Sequence, residues 1–246
     1  NRNELTTERG VLTMKIIVDA FGGDNAPLAM IEGSLQAHRE YGVQILLVGE
    51  RDKIEQCAKE HNLPLDGIEI LEAQGMIPVE ADPTTLLKEY ADSSMAVGMQ
   101  ALKDGKGDAF VSAGSTGALV VGASLIVKRL KGVRRTAIPT IIPSEKGCFM
   151  LIDSGANAEC NSDMLLQFGL MGSVYMQKIM GMSSPRVGLI NIGTEERKGL
   201  EVHRETYHKL QNAPVNLIGN VEARGLPPGE CDVAVCDGCT GKVDLK

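Results

Sequence analysis

The sequence contains no tryptophan, and it has only four Tyr, four Phe and four His among 246 residues. Twenty-eight Gly accompany these few aromatic residues, which favours an α/β protein with many tight turns over a β-sandwich. No apolar run approaches the roughly 20 residues that a transmembrane helix needs, and we expect no secretory signal peptide. The four His fall on predicted helices, so no Ser-His-Asp arrangement is indicated.

The charge balance is acidic, with a net charge of −7 and basic residues scattered along the chain. Without a block of Lys and Arg to contact phosphates, a nucleic acid is excluded as the expected partner. The densest basic group has two interpretations: a docking patch for an acidic protein, or a solvated helix end favoured by the helix dipole. This group consists of Lys128, Arg129, Lys131, Arg134 and Arg135.

The six cysteines include one CxxC spacing, formed by Cys236 and Cys239. No second CxxC and no nearby His completes a zinc set, and the pair follows a strand-like run rather than a thioredoxin-type turn. We therefore expect no metal, no cofactor and a reducing cytoplasmic location.

Apolar, β-rich runs alternate with segments of helical periodicity along almost the whole chain. This order predicts an α/β fold: a doubly wound, mostly parallel sheet with helices on both faces. Two successive strands within 137–152 predict an antiparallel element. The pattern also predicts three long helices whose bounds are tested below, Thr84–Lys103, Thr116–Leu130 and Glu195–Gln211.

The domain organisation follows from the same pattern. Residues 1–13 are polar and precede Met14, which predicts a leader or tag-like tail. Residues 14–246 predict a single Rossmann-like domain. A strand and a glycine-rich turn, 236–241, close the sequence where a helix should open, so we expect a C-terminal part to be missing.

The segment Ser112–Ala118 follows the apolar run Ala109–Val111, as a glycine- and hydroxyl-rich turn that opens a helix. Unpaired N–H groups and the positive end of the helix dipole make such a turn a site for phosphate or another anion. The turn matches neither the Walker pattern nor the dinucleotide fingerprint. An ordinary helix N-cap is the alternative interpretation.

Six turns of this kind follow predicted strands, and each combines Gly with Asp, Asn, Ser or Thr. In such sheets the ligand lies at the carboxyl ends of the strands, so these turns are the candidate site. They offer N–H groups, hydroxyls, amides and a few cations, which suits binding an oxyanion that itself acts as nucleophile. The turns are 19–24, 112–118, 153–157, 191–199, 219–222 and 237–241.

The same segments resemble the bacterial phosphate acyltransferase family, the PlsX type of phospholipid synthesis. The resemblance runs in order from Met14 to the last residue, through DAFGGD (19–24), DSSM (92–95), SAGSTGAL (112–119), PRVGLINIG (185–193) and GNVEAR (219–224). It implies a fold like those of isocitrate dehydrogenase and phosphotransacetylase. It also implies transfer of a long acyl chain from acyl carrier protein to inorganic phosphate.

The resemblance further implies roles for particular residues. Lys198, Asn157 and Asp153 are the expected catalytic residues, with Lys198 neutralising phosphate or the developing oxyanion; a solvated lysine is the alternative. The expected substrate-binding residues are Asp19, Gly22, Gly23, Asp24, Ser112, Gly114, Ser115, Thr116, Gly117, Asn191, Gly193, Asp237, Gly241 and Lys242. A homodimer, and weak membrane-surface contact through an absent C-terminal segment, are implied as well.

The chain departs from the family pattern at five positions. It has Phe21 for Met, Ser115 for Asn and Thr136 for Pro, and in the last motif it has Cys239 for Phe and Lys242 for Asn. Two further hypotheses therefore stay open. One is a phosphotransacetylase-like or glycine-reductase-type enzyme that uses a short-chain thioester, and the other is a non-catalytic binding protein of lipid synthesis.

Overall fold

The computed structural model describes the backbone of residues 14–244 and the side chains of residues 14–243. The predicted leader, 1–13, lies outside the described residues. The chain divides into two compact units, the first ending at Arg129 and the second beginning at Leu130. Each unit has its own sheet. That residues 14–246 form a single Rossmann-like domain stays a prediction. No helix of the described residues is long and apolar enough to cross a membrane.

The first unit contains a four-stranded parallel sheet in the order β3-β2-β1-β4. Its helices connect successive strands, as the alternating pattern predicts. In chain order the elements are β1 Lys15–Asp19, α1 Leu28–Tyr41, β2 Gln44–Gly49, α2 Arg51–Glu60, β3 Ile68–Glu72, α3 Ser94–Lys103, β4 Ala109–Val111 and α4 Thr116–Gly122.

Both faces of this sheet are covered, which is why β1 and β2 are continuous apolar runs rather than alternating ones. Leu47 faces the cluster formed with α1 and α2, which includes Ile31 and Ile54. Ile17 and Leu46 face the opposite cluster, to which α3 contributes Ala101.

The second unit contains a five-stranded sheet in the order β5-β6-β9-β7-β8. Strands β6, β9, β7 and β8 are parallel, and β5 pairs antiparallel with β6, which confirms the antiparallel element predicted within 137–152. The elements are β5 Thr140–Ser144, β6 Gly147–Ile152, α5 Ser162–Lys178, β7 Arg186–Ile190, α6 Glu201–Gln211, β8 Asn216–Val221, β9 Val233–Val235 and α7 Gly238–Asp244.

The predicted helix Thr84–Lys103 is wrong in its first half. A 3₁₀ turn occupies Pro83–Leu87, and α3 begins only at Ser94. Side-chain acceptors explain the break: Asp82 accepts from the N–H of Thr84, and Ser93 accepts from the N–H of Ala96 as the N-cap of α3.

Two other predicted helices also differ from the structure. The helix predicted over Thr116–Leu130 is α-helical only to Gly122 and continues as a π-helical turn over Ala123–Lys128. The helix predicted over Glu195–Gln211 begins at Glu201, because 192–200 form a loop that contains the positive φ of +82° at Gly199.

Two glycines inside helices of the first unit allow a matched test of the packing. A Cβ at Gly98 would collide with the ring of Phe110, whereas a Cβ at Gly33 would meet nothing within 4 Å. We expect Gly98→Ala to lower the free energy of unfolding by about 1–3 kcal/mol through overpacking. We expect Gly33→Ala to raise it by up to about 1 kcal/mol through helix propensity. Urea denaturation measures both, and equal changes in the two variants would contradict the close packing of α3 on β4.

Candidate active site

In the first unit, β1 and β4 place two predicted site residues side by side. Val18 pairs with Val111, so Asp19 and Ser112 follow in register at the carboxyl edge of the sheet. Ser112 Oγ donates to Asp19 Oδ2 at 2.7 Å, and the Phe21 N–H donates to Asp19 Oδ1 at 3.2 Å. The buried Asp19 carboxylate therefore joins the two turns 19–24 and 112–118.

Gly22 is required where these two turns meet. A Cβ at Gly22 would lie 2.6 Å from Asp19 Oδ2, 2.7 Å from Ser112 Oγ and 2.9 Å from the Gly114 nitrogen. The Gly114 N–H donates to Ser112 Oγ at 3.1 Å, so it is already used within the turn. Gly22 therefore allows the backbones of the two turns to approach each other closely.

The turn 112–118 does open a helix, as the sequence predicts. Ser115 is the N-cap of α4, and its Oγ accepts from the Ala118 N–H at 3.4 Å. Thr116 and Gly117 stand exposed in the first turn of the helix, where N–H groups have no partner inside the helix. A Cβ at Gly117 would lie 2.6 Å from Pro83. Gly23, at a φ of +104°, and the exposed Asp24 complete the predicted set in this unit.

In the second unit, Asp153 organises the turn that follows β6. Its carboxylate is fully buried and accepts from the backbone N–H groups of Ile138, Gly155, Ala156 and Asn157 at 2.7–3.3 Å. It also accepts from Asn157 Nδ2 at 2.9 Å. This bonding encloses the carboxylate and fixes the position of Asn157.

Asn157 has both of its amide hydrogens engaged. Nδ2 donates to Asp153 Oδ2 and, at 2.8 Å, to the carbonyl oxygen of Thr136. The Asn157 carbonyl oxygen accepts from the Gly238 N–H at 2.7 Å, which links this turn to the start of α7. The turns after β6 and β9 therefore form one connected rim.

The turn after β9 contains three predicted residues. Asp237 accepts from the N–H and the hydroxyl of Thr240, both at 2.9 Å, and so caps α7. Gly241 packs on the carbonyl oxygen of Asp153, leaving no room for a Cβ. Lys242 is exposed, and its Cδ lies 3.6 Å from where a Cβ of Gly155 would be. Its side-chain stem therefore passes beside the Asp153 turn.

The loop 191–199 presents Lys198. Asn191 Nδ2 donates to the Lys198 carbonyl oxygen at 3.0 Å, and Asn191 Oδ1 accepts from the Ile192 N–H at 2.8 Å. Lys198 Nζ lies 3.8 Å from Glu195 Oε1, with about half of each side chain exposed, so the pairing is weak. A Cβ at Gly193 would lie 3.3 Å from Lys198 Cγ, so this glycine also leaves room for the Lys198 stem.

Asn220, near the end of β8, lies in the candidate turn 219–222, but the sequence did not identify it as a residue that holds another loop. Its Nδ2 donates to the Glu195 carbonyl oxygen at 2.8 Å, so it holds the Lys198 loop from a second strand. An Asn directly at the end of a predicted strand, opposite a long polar loop, is the signal that could have indicated this. The order β9-β7-β8 then places the ends of these strands along one edge.

The half-buried Cys160 lies beside the Asp153 turn, with Sγ 3.8 Å from the Asn157 carbonyl oxygen. Burial, together with the charges of Asp153 and Asp237, raises the pKa of the Cys160 thiol to about 11. The thiol is therefore protonated at neutral pH and unsuited to act as a nucleophile. His203 has its pKa lowered by burial, and its Nδ1 accepts from the Leu200 N–H at the start of α6.

Known proteins match this chain over nearly all of its length. Residues 14–246 match the family described as fatty acid synthesis protein. A phosphate acyltransferase from Caldicellulosiruptor bescii is 46% identical over 235 residues, and one from Alkaliphilus oremlandii is 43% identical over 233 residues. Each alignment covers 95% of this chain and 70% of the relative.

Solved structures show the same fold at low identity. The EutD phosphotransacetylase from Staphylococcus aureus superposes with a TM-score of 0.69 at 19% identity, covering 95% of this chain and 80% of that protein. A branched-chain phosphotransacylase from Enterococcus faecalis gives a TM-score of 0.60 at 10% identity, covering 94% and 82%. The predicted α/β, phosphotransacetylase-like fold class is thereby confirmed.

The bonding of Asp153 predicts a large structural effect. Asp153→Ala would leave four buried or half-buried N–H groups without their acceptor, so we expect a loss of about 3 kcal/mol or more in the free energy of unfolding. Asp163→Ala is the matched control, because this half-exposed carboxylate on α5 pairs with Lys209 and Arg134 at the surface, and its loss should cost below about 1 kcal/mol. Urea denaturation compares the two, and similar small losses would refute the organising role of Asp153.

Proposed function

The chain belongs to the fatty acid synthesis protein family, and on that premise we propose that it transfers an acyl group from a thioester to inorganic phosphate. The observation that carries the proposal is the match to curated phosphate acyltransferases across 95% of the chain. We propose long-chain acyl carrier protein as the donor. A homodimer, a cytoplasmic location and weak membrane-surface contact belong to the same proposal.

The reaction balances without a covalent enzyme intermediate. A phosphate oxygen attacks the carbonyl carbon of the thioester, the carbon–sulfur bond breaks, and acyl phosphate and a thiol are released once the thiolate takes up a proton. What such a reaction needs from the protein is a bound, oriented phosphate and stabilisation of the developing oxyanion. The protonated Cys160 thiol is consistent with attack by phosphate itself.

Each unit, taken by itself, offers groups suited to binding the anionic part of the reaction. In the first unit, the N–H groups at Thr116 and Gly117 begin α4 and favour an anion. In the second unit, Lys198 and Lys242 supply positive charge, and the weak contact of Lys198 with Glu195 leaves its ammonium available to a substrate.

Asp153 and Asn157 support this site by positioning. The hydrogens of the Asn157 amide are already bonded to Thr136 and Asp153, and the Asp153 carboxylate is surrounded by backbone N–H groups. Their predicted catalytic roles stay predictions. The bonding supports instead a role in fixing the rim on which Lys242 and Gly241 lie.

The acidic carrier protein requires a basic surface, for which the group around Lys131 is the candidate. Within the second unit Lys131 and Arg135 are exposed, while Arg134 pairs with Asp163 at 2.9 Å. Charge complementarity of this kind raises the association rate more than the affinity. High salt should therefore weaken activity on the carrier substrate.

Phosphate-dependent loss of long-chain acyl carrier protein, with the acyl phosphate trapped as its hydroxamate, tests the function. Acetyl-coenzyme A is the parallel substrate. Turnover of the carrier substrate alone supports the proposal, and turnover of the coenzyme A ester alone establishes the phosphotransacetylase-like alternative. Binding of the carrier protein without turnover of either substrate would establish a non-catalytic binding protein.

Lys198 offers a sharp test of the charge assignment. Lys198→Ala removes the ammonium but keeps the backbone carbonyl that Asn191 binds, so the loop should persist. We expect kcat/KM to fall about 10²- to 10³-fold, as for loss of one oxyanion-stabilising group. Lys178→Ala, on the exposed last turn of α5, is the control and should leave kcat/KM unchanged. Equal activity of the two variants would remove Lys198 from the mechanism.

A further inference from the structure

The first unit contains a cavity of about 370 Å³ at the carboxyl end of β1. One side is formed by the turns described above, through Asp19, Gly22, Gly23 and Gly114. The other side is formed by an irregular segment, 76–80, that precedes the 3₁₀ turn. The cavity thus lies between the candidate-site turns of this unit and the segment 76–80.

The segment 76–80 brings an apolar surface to this cavity. Ile77 is 5% exposed and packs with Leu86 and Met95, so it anchors the segment in the core. Met76 and Val79, on either side of the Ile77–Pro78 pair, line the cavity and are 52% and 63% exposed. These two side chains therefore offer apolar surface to whatever occupies the cavity.

The charges around the cavity disfavour phosphate as its occupant. Asp19, Asp24 and Glu80 line it, and none of the described residues lining it is Lys or Arg. Carboxylates repel a phosphate dianion but have no such effect on a hydrocarbon chain. The apolar wall and the negative rim of the cavity therefore fit an uncharged hydrocarbon tail better than they fit the charged, reacting end of a substrate.

We propose that this cavity receives the acyl chain of the thioester, with Met76 and Val79 as the residues that contact the chain and set the preferred chain length. This inference rests on the proposed function, since it takes the acyl thioester as the substrate. Each methylene buried against these side chains contributes several-fold to affinity. A substitution that removes this apolar contact, or places a charge against it, should therefore weaken the binding of long acyl chains and change the binding of short ones little.

The absence of tryptophan from the chain provides a direct binding assay. Met76→Trp places a single fluorescent reporter on the cavity wall, and dibromostearoyl-pantetheine below its micelle concentration is the probe. We expect saturable quenching by the brominated probe and little by stearoyl-pantetheine. Tyr41→Trp is the matched control, because Tyr41 is 70% exposed at the far end of α1.

Turnover supplies the second measurement. Val79→Asp places a charge against the chain, and we expect kcat/KM for a 16-carbon acyl carrier protein to fall about tenfold or more, corresponding to the loss of two or so buried methylenes. The same substitution should lower kcat/KM for a 4-carbon donor much less. Tyr41→Asp introduces a charge at a similarly exposed position of the same unit. It should leave the ratio of kcat/KM for the 16-carbon donor to kcat/KM for the 4-carbon donor unchanged.

The outcomes separate this inference from the function on which it rests. Quenching in Met76→Trp without turnover of any donor by the wild type would uphold the cavity and refute the acyltransferase. Normal turnover with equal quenching in both tryptophan variants, or an unchanged chain-length ratio in Val79→Asp, would refute the cavity and leave the function standing.

Discussion

Each parallel strand that ends at a ligand-binding edge leaves backbone N–H groups that no neighbouring strand can pair, and the turn that follows must satisfy them. In this protein the same solution recurs, because an Asp or Asn at the strand end accepts the N–H groups of its own turn. Asp19 accepts from Phe21, Asp153 from three residues of its turn, and Asn191 from Ile192. The shape of the candidate site depends on these bonds.

Once the carboxylates and amides are committed to the turns, the chemistry falls to other groups. Asp153 and Asn157 look catalytic in sequence, yet the Asp153 carboxylate oxygens and the Asn157 amide hydrogens are bonded within the rim. Among the described residues, the groups with bonding capacity left over include the first N–H groups of α4 and the ammonium groups of Lys198 and Lys242. A reaction whose nucleophile is supplied by the substrate is compatible with such a site, since it needs positioning and charge more than a reactive side chain.

The sequence predicts the fold class and the strand-end turns well, because apolar runs and glycine-rich turns are local signals. It predicts neither the division of the strands between two sheets nor the start of α6 at Glu201. The latter depends on Asn191 and Asn220, which bond the loop backbone from two different strands. The segment 76–80 escaped notice for a similar reason, since Met76 and Val79 carry no motif and only the anchoring of Ile77 reveals what they line.

The charges that line the cavity of the first unit suit a hydrocarbon chain better than a phosphate. The cavity beside β1 is lined by carboxylates and apolar side chains, whereas the cations described above, Lys198 and Lys242, belong to the second unit. A hydrocarbon chain gains from the apolar wall and is indifferent to the carboxylates, while phosphate is repelled by them and attracted by ammonium groups. Within the first unit, the negative rim therefore opposes entry of phosphate into the cavity while admitting an uncharged chain.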